Sequence, residues 1–144
     1  MKKAITKELR QLNNRINKIV TNKWPKDLAK FNMTQLQIIF YLIKHENEEV
    51  CQKDLESETH LKKASITGTL DSLEEKGIIY RSQSNEDKRR NCILLTKEAK
   101  EKKEEMKNLF DYLNTVLVKD ISEKELNDFY NVIEKMNKNI DGVV

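Results

Sequence analysis

The stretch LDSLEEKGIIYRSQSNEDKRRNCILLT, from Leu70 to Thr96, limits the fold of this chain more than any other. A helical apolar repeat runs into Gly77, a residue suited to the left-handed turn that ends a helix. Two short β runs follow at once, Ile78–Ser82 and Asn91–Thr96. The eight residues between them are all polar and include five consecutive charges, Glu86–Arg90. Aliphatic runs bounded by such a turn read as a hairpin. A hairpin of two strands is marginal in water by itself, so it must lean on the helices either side.

Those helices are legible from spacing. Leu61, Ile66, Leu70 and Leu73 mark one of them, and a shorter helix, roughly Gln52–Glu58 with Leu55 inward, precedes it across the break ETHL. A short helix, a turn and a longer helix with small polar residues at its start make a helix-turn-helix. A hairpin with a charged tip after that pair is a wing. Upstream, Ile5, Leu9, Leu12, Ile16 and Ile19 recur at spacings of 4, 3, 4 and 3, an amphipathic stripe that should close near Trp24-Pro25. TQLQ, from Thr34 to Gln37, reads as a capping box opening a second helix that is apolar almost all round and therefore central. Thr96 can cap a fifth helix with Met106, Leu109, Leu113 and Val116 on one face. SEKE, from Ser122, opens a sixth carrying Leu126, Phe129, Ile133, Met136 and Ile140. The expected fold is mainly α, in the order α1-α2-α3-α4-β-wing-β-α5-α6. Residues 1–144 form a single domain, with 34–96 as the winged helix-turn-helix lobe and 1–30 and 97–144 as terminal helices.

With 144 residues, the chain has enough length for a core without metal or disulfide staples. Its two cysteines, Cys51 and Cys92, form no CxxC pattern, and no apolar run approaches the ~18 residues of a membrane span. No signal peptide is legible at the start, so a cytoplasmic protein without a membrane partner is expected. The formal net charge of +3 does not announce a polyanion partner, but it is unevenly spread. Residues 1–30 hold nine Lys/Arg against two Asp/Glu, whereas 51–95 hold eight of each. Any nucleic-acid surface in the middle of the chain must therefore come from local placement.

The element order gives the charged tip a task. Lys and Arg gain affinity for duplex DNA by releasing its counterions. The second helix of a helix-turn-helix fits the major groove, and a hairpin beside it reaches the neighbouring minor groove, where a guanidinium is well suited. Arg89 is the expected minor-groove residue, and Arg81, Lys88 and Arg90 are expected phosphate contacts. Asp87 would repel phosphate unless it pairs with an arginine and shapes the wing. Outside such a fold, the same run would be an ordinary solvated loop.

LDSLEEKGIIYRSQSNEDKRRNCILLTKEAK resembles the core signature of the MarR family of bacterial transcriptional regulators. The matching positions are Leu73, Glu74, Glu75, Lys76 and Gly77, then Asp87 and Arg89 of the wing D-x-R, then Ile93, Leu95 and Thr96. The resemblance implies a homodimer with intertwined terminal helices, here carried by Ile5, Leu9, Leu12, Ile16, Leu126, Phe129, Ile133, Met136 and Ile140. It implies binding to an inverted-repeat operator, most often as a repressor. It also implies release by a small, often aromatic, effector; Trp24, Phe31, Tyr41 and His45 are candidates to line that pocket, or they are plain core. By position, Lys62, Lys63, Ala64, Ser65, Thr67 and Gly68 form the exposed first turns of the recognition helix. The chain departs from relatives at Lys62 and Cys51, where a capping Ser or Thr is common.

Other readings are set by the same residues. The terminal stripes could be intramolecular core, although long charged end helices in so short a chain favour a dimer. Cys51 and Cys92 could form a redox switch, but oxidant-sensing relatives usually place their thiol in the first helix and here that helix has none; Cys92 reads more simply as a small core or surface residue. His45 and His60 are too scattered for a zinc site, and no metal or cofactor is expected. No phosphate loop or catalytic cluster appears, so an enzyme is not expected. A winged module that binds a protein instead of DNA, such as an adaptor or antirepressor, is the alternative, and Lys88, Arg89 and Arg90 speak against it.

Overall fold

A computed structural model describes residues 3–26 and 30–143; residues 1–2, 27–29 and 144, which belong to the expected terminal segments, lie outside it. The described residues follow the order α1 (Ile5–Lys23), α2 (Met33–Lys44), α3 (Gln52–Thr59), α4 (Lys63–Glu75), β1 (Ile79–Gln83), β2 (Asn91–Leu95), α5 (Lys97–Leu117) and α6 (Glu123–Asp141). This is the expected winged helix-turn-helix order. By internal contacts, the chain divides into two compact units, Met1–Leu109 and Phe110–Val144.

In the first unit, α1 ends at Trp24, whose extended backbone (ψ 138°) answers the steric demand of Pro25. Trp24 is buried and meets Phe31 edge to face, with ring centroids 5.7 Å apart. Helix α2 begins earlier than its sequence suggested. Its N-cap is Asn32 rather than Thr34: Asn32 Oδ1 accepts from the Gln35 amide at 2.8 Å, and Gln35 Oε1 accepts from the Asn32 amide at 2.9 Å. The same box template fits both N-x-x-Q and T-x-x-Q, and the upstream pair is held by further bonds. Gln35 Nε2 donates to Ser72 Oγ at 3.1 Å, and Lys76 Nζ donates to Gln35 Oε1 at 3.3 Å. The start of α2 is thereby fastened to the end of α4.

The core of this unit is built from Leu36, Ile38, Ile39, Leu55, Ile66, Leu70, Leu73 and Ile79, with Met106 from α5, all fully buried. Helix α4 stops as expected. Gly77 takes φ +74°, its amide donates to Glu74 O, and the Ile78 amide donates to Leu73 O, both at 3.0 Å. These are the two bonds of a Schellman cap. Strands β1 and β2 pair antiparallel, with Ile79 opposite Leu95 and Gln83 opposite Asn91. Thr96 joins the ends: its hydroxyl donates to Gly77 O at 2.7 Å and accepts from the Ala99 amide at 3.2 Å, so it caps α5 and ties it to the end of α4.

The second unit holds the end of α5 and all of α6. A capping box opens α6, with Ser122 Oγ accepting from the Glu125 amide at 3.1 Å and Glu125 Oε1 accepting from the Ser122 amide at 3.0 Å. Despite its regular apolar stripe, no described residue of α6 is buried. Phe129 is 51% exposed and Ile140 57%, while Leu126, Ile133 and Met136 are half-buried. In the first unit, α1 similarly exposes Ile5, Leu9 and Leu12, with Ile16 half-buried.

Candidate nucleic-acid interface

The helix-turn-helix is locked by side chains at its turn. His60 adopts the left-handed conformation (φ 57°) that ends α3, and Thr59 Oγ1 donates to Leu55 O at 2.8 Å while accepting from the Leu61 amide at 3.3 Å. Gln52, in the first turn of α3, donates through Nε2 to Thr67 Oγ1 at 2.9 Å and to Lys63 O at 3.4 Å. Thr67 Oγ1 in turn donates to Lys63 O at 2.9 Å. The Thr67 hydroxyl therefore holds the two helices in register, which sequence reasoning had not assigned to it or to Gln52.

Buried Ile66, Leu70 and Leu73 fix the inner face of α4, so Lys62, Lys63, Ala64, Ser65, Thr67 and Gly68 face outward and are exposed. Lys62 is the N-cap and supplies no side-chain cap. At the start of α3, Cys51 stands where a hydroxyl is usual, and Asp54 does the capping: its Oδ2 accepts from the Cys51 amide at 2.8 Å and from Cys51 Sγ at 3.3 Å. A Cβ placed on Gly68 would meet nothing within 4 Å, so this glycine leaves an open approach to the helix backbone.

The wing is shaped by Ser84 and Asp87. Ser84 is buried, its hydroxyl donates to Glu49 Oε2 at 2.7 Å, and it accepts from the Glu86 and Asp87 amides at 3.1 and 3.2 Å. Its amide donates to Arg90 O, and the Arg90 amide donates to Asp87 O, both at 2.9 Å. Such hydroxyl–amide turns are a local option open to serine in a polar loop. Asp87 Oδ1 accepts from the Arg89 amide at 3.0 Å and from Arg89 Nε at 3.2 Å. These two bonds, the amide first, hold the Asp87 carboxyl below the usual carboxylate range. The Arg89 side chain is nonetheless 91% exposed, and Lys88 and Arg90 are exposed beside it.

Arg81 is placed differently. Its side chain is 27% exposed and reaches back to α4, with Nη2 donating to Asp71 Oδ1 at 2.9 Å and Nη1 to Glu74 Oε1 at 3.2 Å. Asp71 and Glu74 sit one turn apart on α4, so the two carboxylates form a fork that a guanidinium spans. The expected phosphate contact is engaged here as a clamp between the recognition helix and the wing.

The aromatic set is split. Tyr41 and His45 stack at 4.2 Å and line a surface depression with Gln37, Phe40, Lys44 and Glu58, of about 220 Å³. Trp24 and Phe31 do not line it; Phe31 instead faces Lys76 Nζ, 5.1 Å from the ring centroid. Burial, then the Asp54 and Glu58 carboxylates, push the Tyr41 phenol up. His45 Nδ1 lies 2.9 Å from Glu48 Oε2. No helix among the described residues is long and apolar enough to cross a membrane.

Comparison with known proteins places this lobe. Residues 31–90 match the family model described as "MarR family". An uncharacterised HTH-type transcriptional regulator, YdgJ of Bacillus subtilis (strain 168), is 24% identical over 128 residues, covering 89% of this chain and 76% of that protein. The transcription regulator MarR from Oenococcus oeni PSU-1 superposes with a TM-score of 0.77 at 26% identity, over 93% of this chain and 96% of that one. The S. aureus MepR-DNA complex superposes with a TM-score of 0.80 at 22% identity, over 96% and 99% of the two chains. Motif, lobe and relatives agree in one likeness: the lobe spanning residues 31–90 is similar to the MarR family of winged helix-turn-helix transcriptional regulators.

Proposed function

We propose that the chain binds an inverted-repeat operator in double-stranded DNA as a homodimer and acts there as a repressor. The observation that carries this reading is that one clamped lobe presents both the exposed first turns of α4 and the exposed cationic wing tip. In this reading Lys62, Lys63, Ala64, Ser65 and Gly68 enter the major groove, with Thr67 beside them. Arg89 enters the adjacent minor groove, and Lys88 and Arg90 meet flanking phosphates. Residues 34–96 act as the DNA-binding lobe, and the exposed stripes of α1 and α6 supply self-association. The activity is binding rather than catalysis, in the cytoplasm where the operator lies. The Tyr41–His45 depression is where a small aromatic effector would bias the spacing of the two recognition helices. Selection of genomic fragments with the purified protein, followed by footprinting, tests the reading. A protected inverted repeat with salt-sensitive affinity is expected; equal affinity for a scrambled duplex overturns it.

A further inference from the structure

We propose that Cys51 and Cys92 form a thiol pair oxidised by hydroperoxides, whose disulfide staples the start of α3 to the wing strand β2. The residues are distant in sequence, but Val50 and Cys51 lie along the outer edge of β2. The Ile93 amide donates to Val50 O at 2.8 Å, and Cys51 faces Cys92 in an antiparallel bridge. A bond running from the residue after Cys92 to the residue before Cys51 makes the two cysteines a non-hydrogen-bonded pair. That is the closer kind, with Cα atoms about 4.5 Å apart and both side chains on one face. A disulfide needs Cα atoms about 4.4–6.8 Å apart, so the backbone is already placed for one.

The surroundings divide the roles. Both residues are free thiols; Cys92 is buried and Cys51 half-buried, so an oxidant reaches Cys51 first. Asp54 Oδ2 accepts from the Cys51 Sγ at 3.3 Å, and a hydrogen bond to Cys51 is the first cause that pushes the Arg90 guanidinium up, with Asp54 and Glu49 adding to it. Burial pushes the Cys92 thiol up, with Glu49 adding to this and Arg90 and Ser84 opposing it. Cys51 is thus the attacking sulfur and Cys92 the resolving one.

The electron count closes with a hydroperoxide as oxidant. The Cys51 thiol gives its proton to solvent, and the sulfur anion attacks the terminal peroxide oxygen. The O–O bond breaks, Cys51 becomes a sulfenic acid, and the departing oxygen takes a proton from solvent and leaves as water or alcohol. The Cys92 sulfur then attacks the Cys51 sulfur. The S–O bond breaks, the S–S bond forms, and hydroxide leaves as water with the Cys92 proton. The two thiols have given two electrons to the peroxide. The closed loop encloses α3, α4, β1 and the wing tip, which is the whole DNA-facing surface. That regulatory consequence rests on the DNA-binding reading, whereas the thiol chemistry does not.

The test treats the reduced full chain, freed of reductant, with a few equivalents of hydrogen peroxide. Expected are loss of two hydrogens in the intact mass, a Cys51–Cys92 crosslinked peptide, reversal by dithiothreitol and a thermal midpoint raised by several degrees. Cys51→Ser should abolish the internal disulfide and leave the reduced-state midpoint within a degree or so. Persistence of both free thiols, a disulfide between chains, or arrest of the wild type at sulfinic acid would each overturn the proposal. Binding of the reduced protein to duplex DNA is measured in parallel. A mapped disulfide without DNA binding overturns the proposed function alone, and DNA binding without the disulfide overturns the redox inference alone.

Discussion

Arg81 and Arg89 provide a paired test, because residue type is constant and only the partners differ. Arg81 spans Asp71 and Glu74 on α4, with its charge spent inside the lobe; Arg89 keeps a single local partner and stands almost fully in solvent. Replacing Arg89 with Gln in the proposed homodimer removes two cations facing DNA. At about 0.9 units of log-salt slope per phosphate neutralised, the slope should flatten by about 1.8. Between 50 and 200 mM salt, that difference alone amounts to roughly a 12-fold change in relative affinity. Arg81→Gln should leave the slope as it is. It removes two half-exposed ion pairs, so it should lower lobe stability by about 1 kcal/mol and weaken binding only through a looser wing. The assay is fluorescence anisotropy of a labelled operator duplex across that salt range, with urea unfolding of both variants. A flattening by Arg81→Gln equal to that of Arg89→Gln would show that Arg81 leaves its carboxylates for phosphate, and the clamp argument would fail.

Gly77→Ala should destabilise by about 1–2 kcal/mol in urea unfolding, because φ is +74° while the new Cβ meets nothing within 4 Å, so the cost is one of backbone conformation alone. The Asp87 carboxyl is held low by Arg89, so its contribution to wing order is complete above the usual carboxylate range and fades as pH falls through the depressed folded value. The Arg89 amide proton, followed by NMR, should titrate below an ordinary aspartate and lose that transition in Asp87→Asn. Phe129→Glu on the exposed face of α6 should shift sedimentation from dimer towards monomer without unfolding the chain; an unchanged dimer would remove α6 from the interface.

The fold was readable because each element carries its own periodicity and its own stop. The stripe of α6, the Ile66, Leu70 and Leu73 part of the α4 stripe, the Gly77 cap and the Ser122 box are local signals that appear where spacing puts them, whereas Leu61 stands ahead of the Lys62 N-cap and is exposed. The α2 boundary differs from its sequence expectation for an equally physical reason. Two overlapping boxes satisfy one local template, and the choice between them falls to Ser72 and Lys76, which are remote in sequence. Ser84 and Gln52 carry no local signal for the same reason, since their partners Glu49 and Thr67 are remote in sequence. The arginines show how far this reaches into function. Counting charge cannot separate Arg81 from Arg89, but the one-turn spacing of Asp71 and Glu74 on the outer face of α4, opposite the first wing strand, was present in the sequence. Two carboxylates one turn apart on a recognition helix would themselves repel a phosphate backbone. A cation drawn from the adjacent strand neutralises that repulsion and fastens the wing in the same contact. Substituting both carboxylates by Gln should therefore release Arg81 and make the salt slope steeper, an outcome that a purely structural ion pair at the wing would not produce.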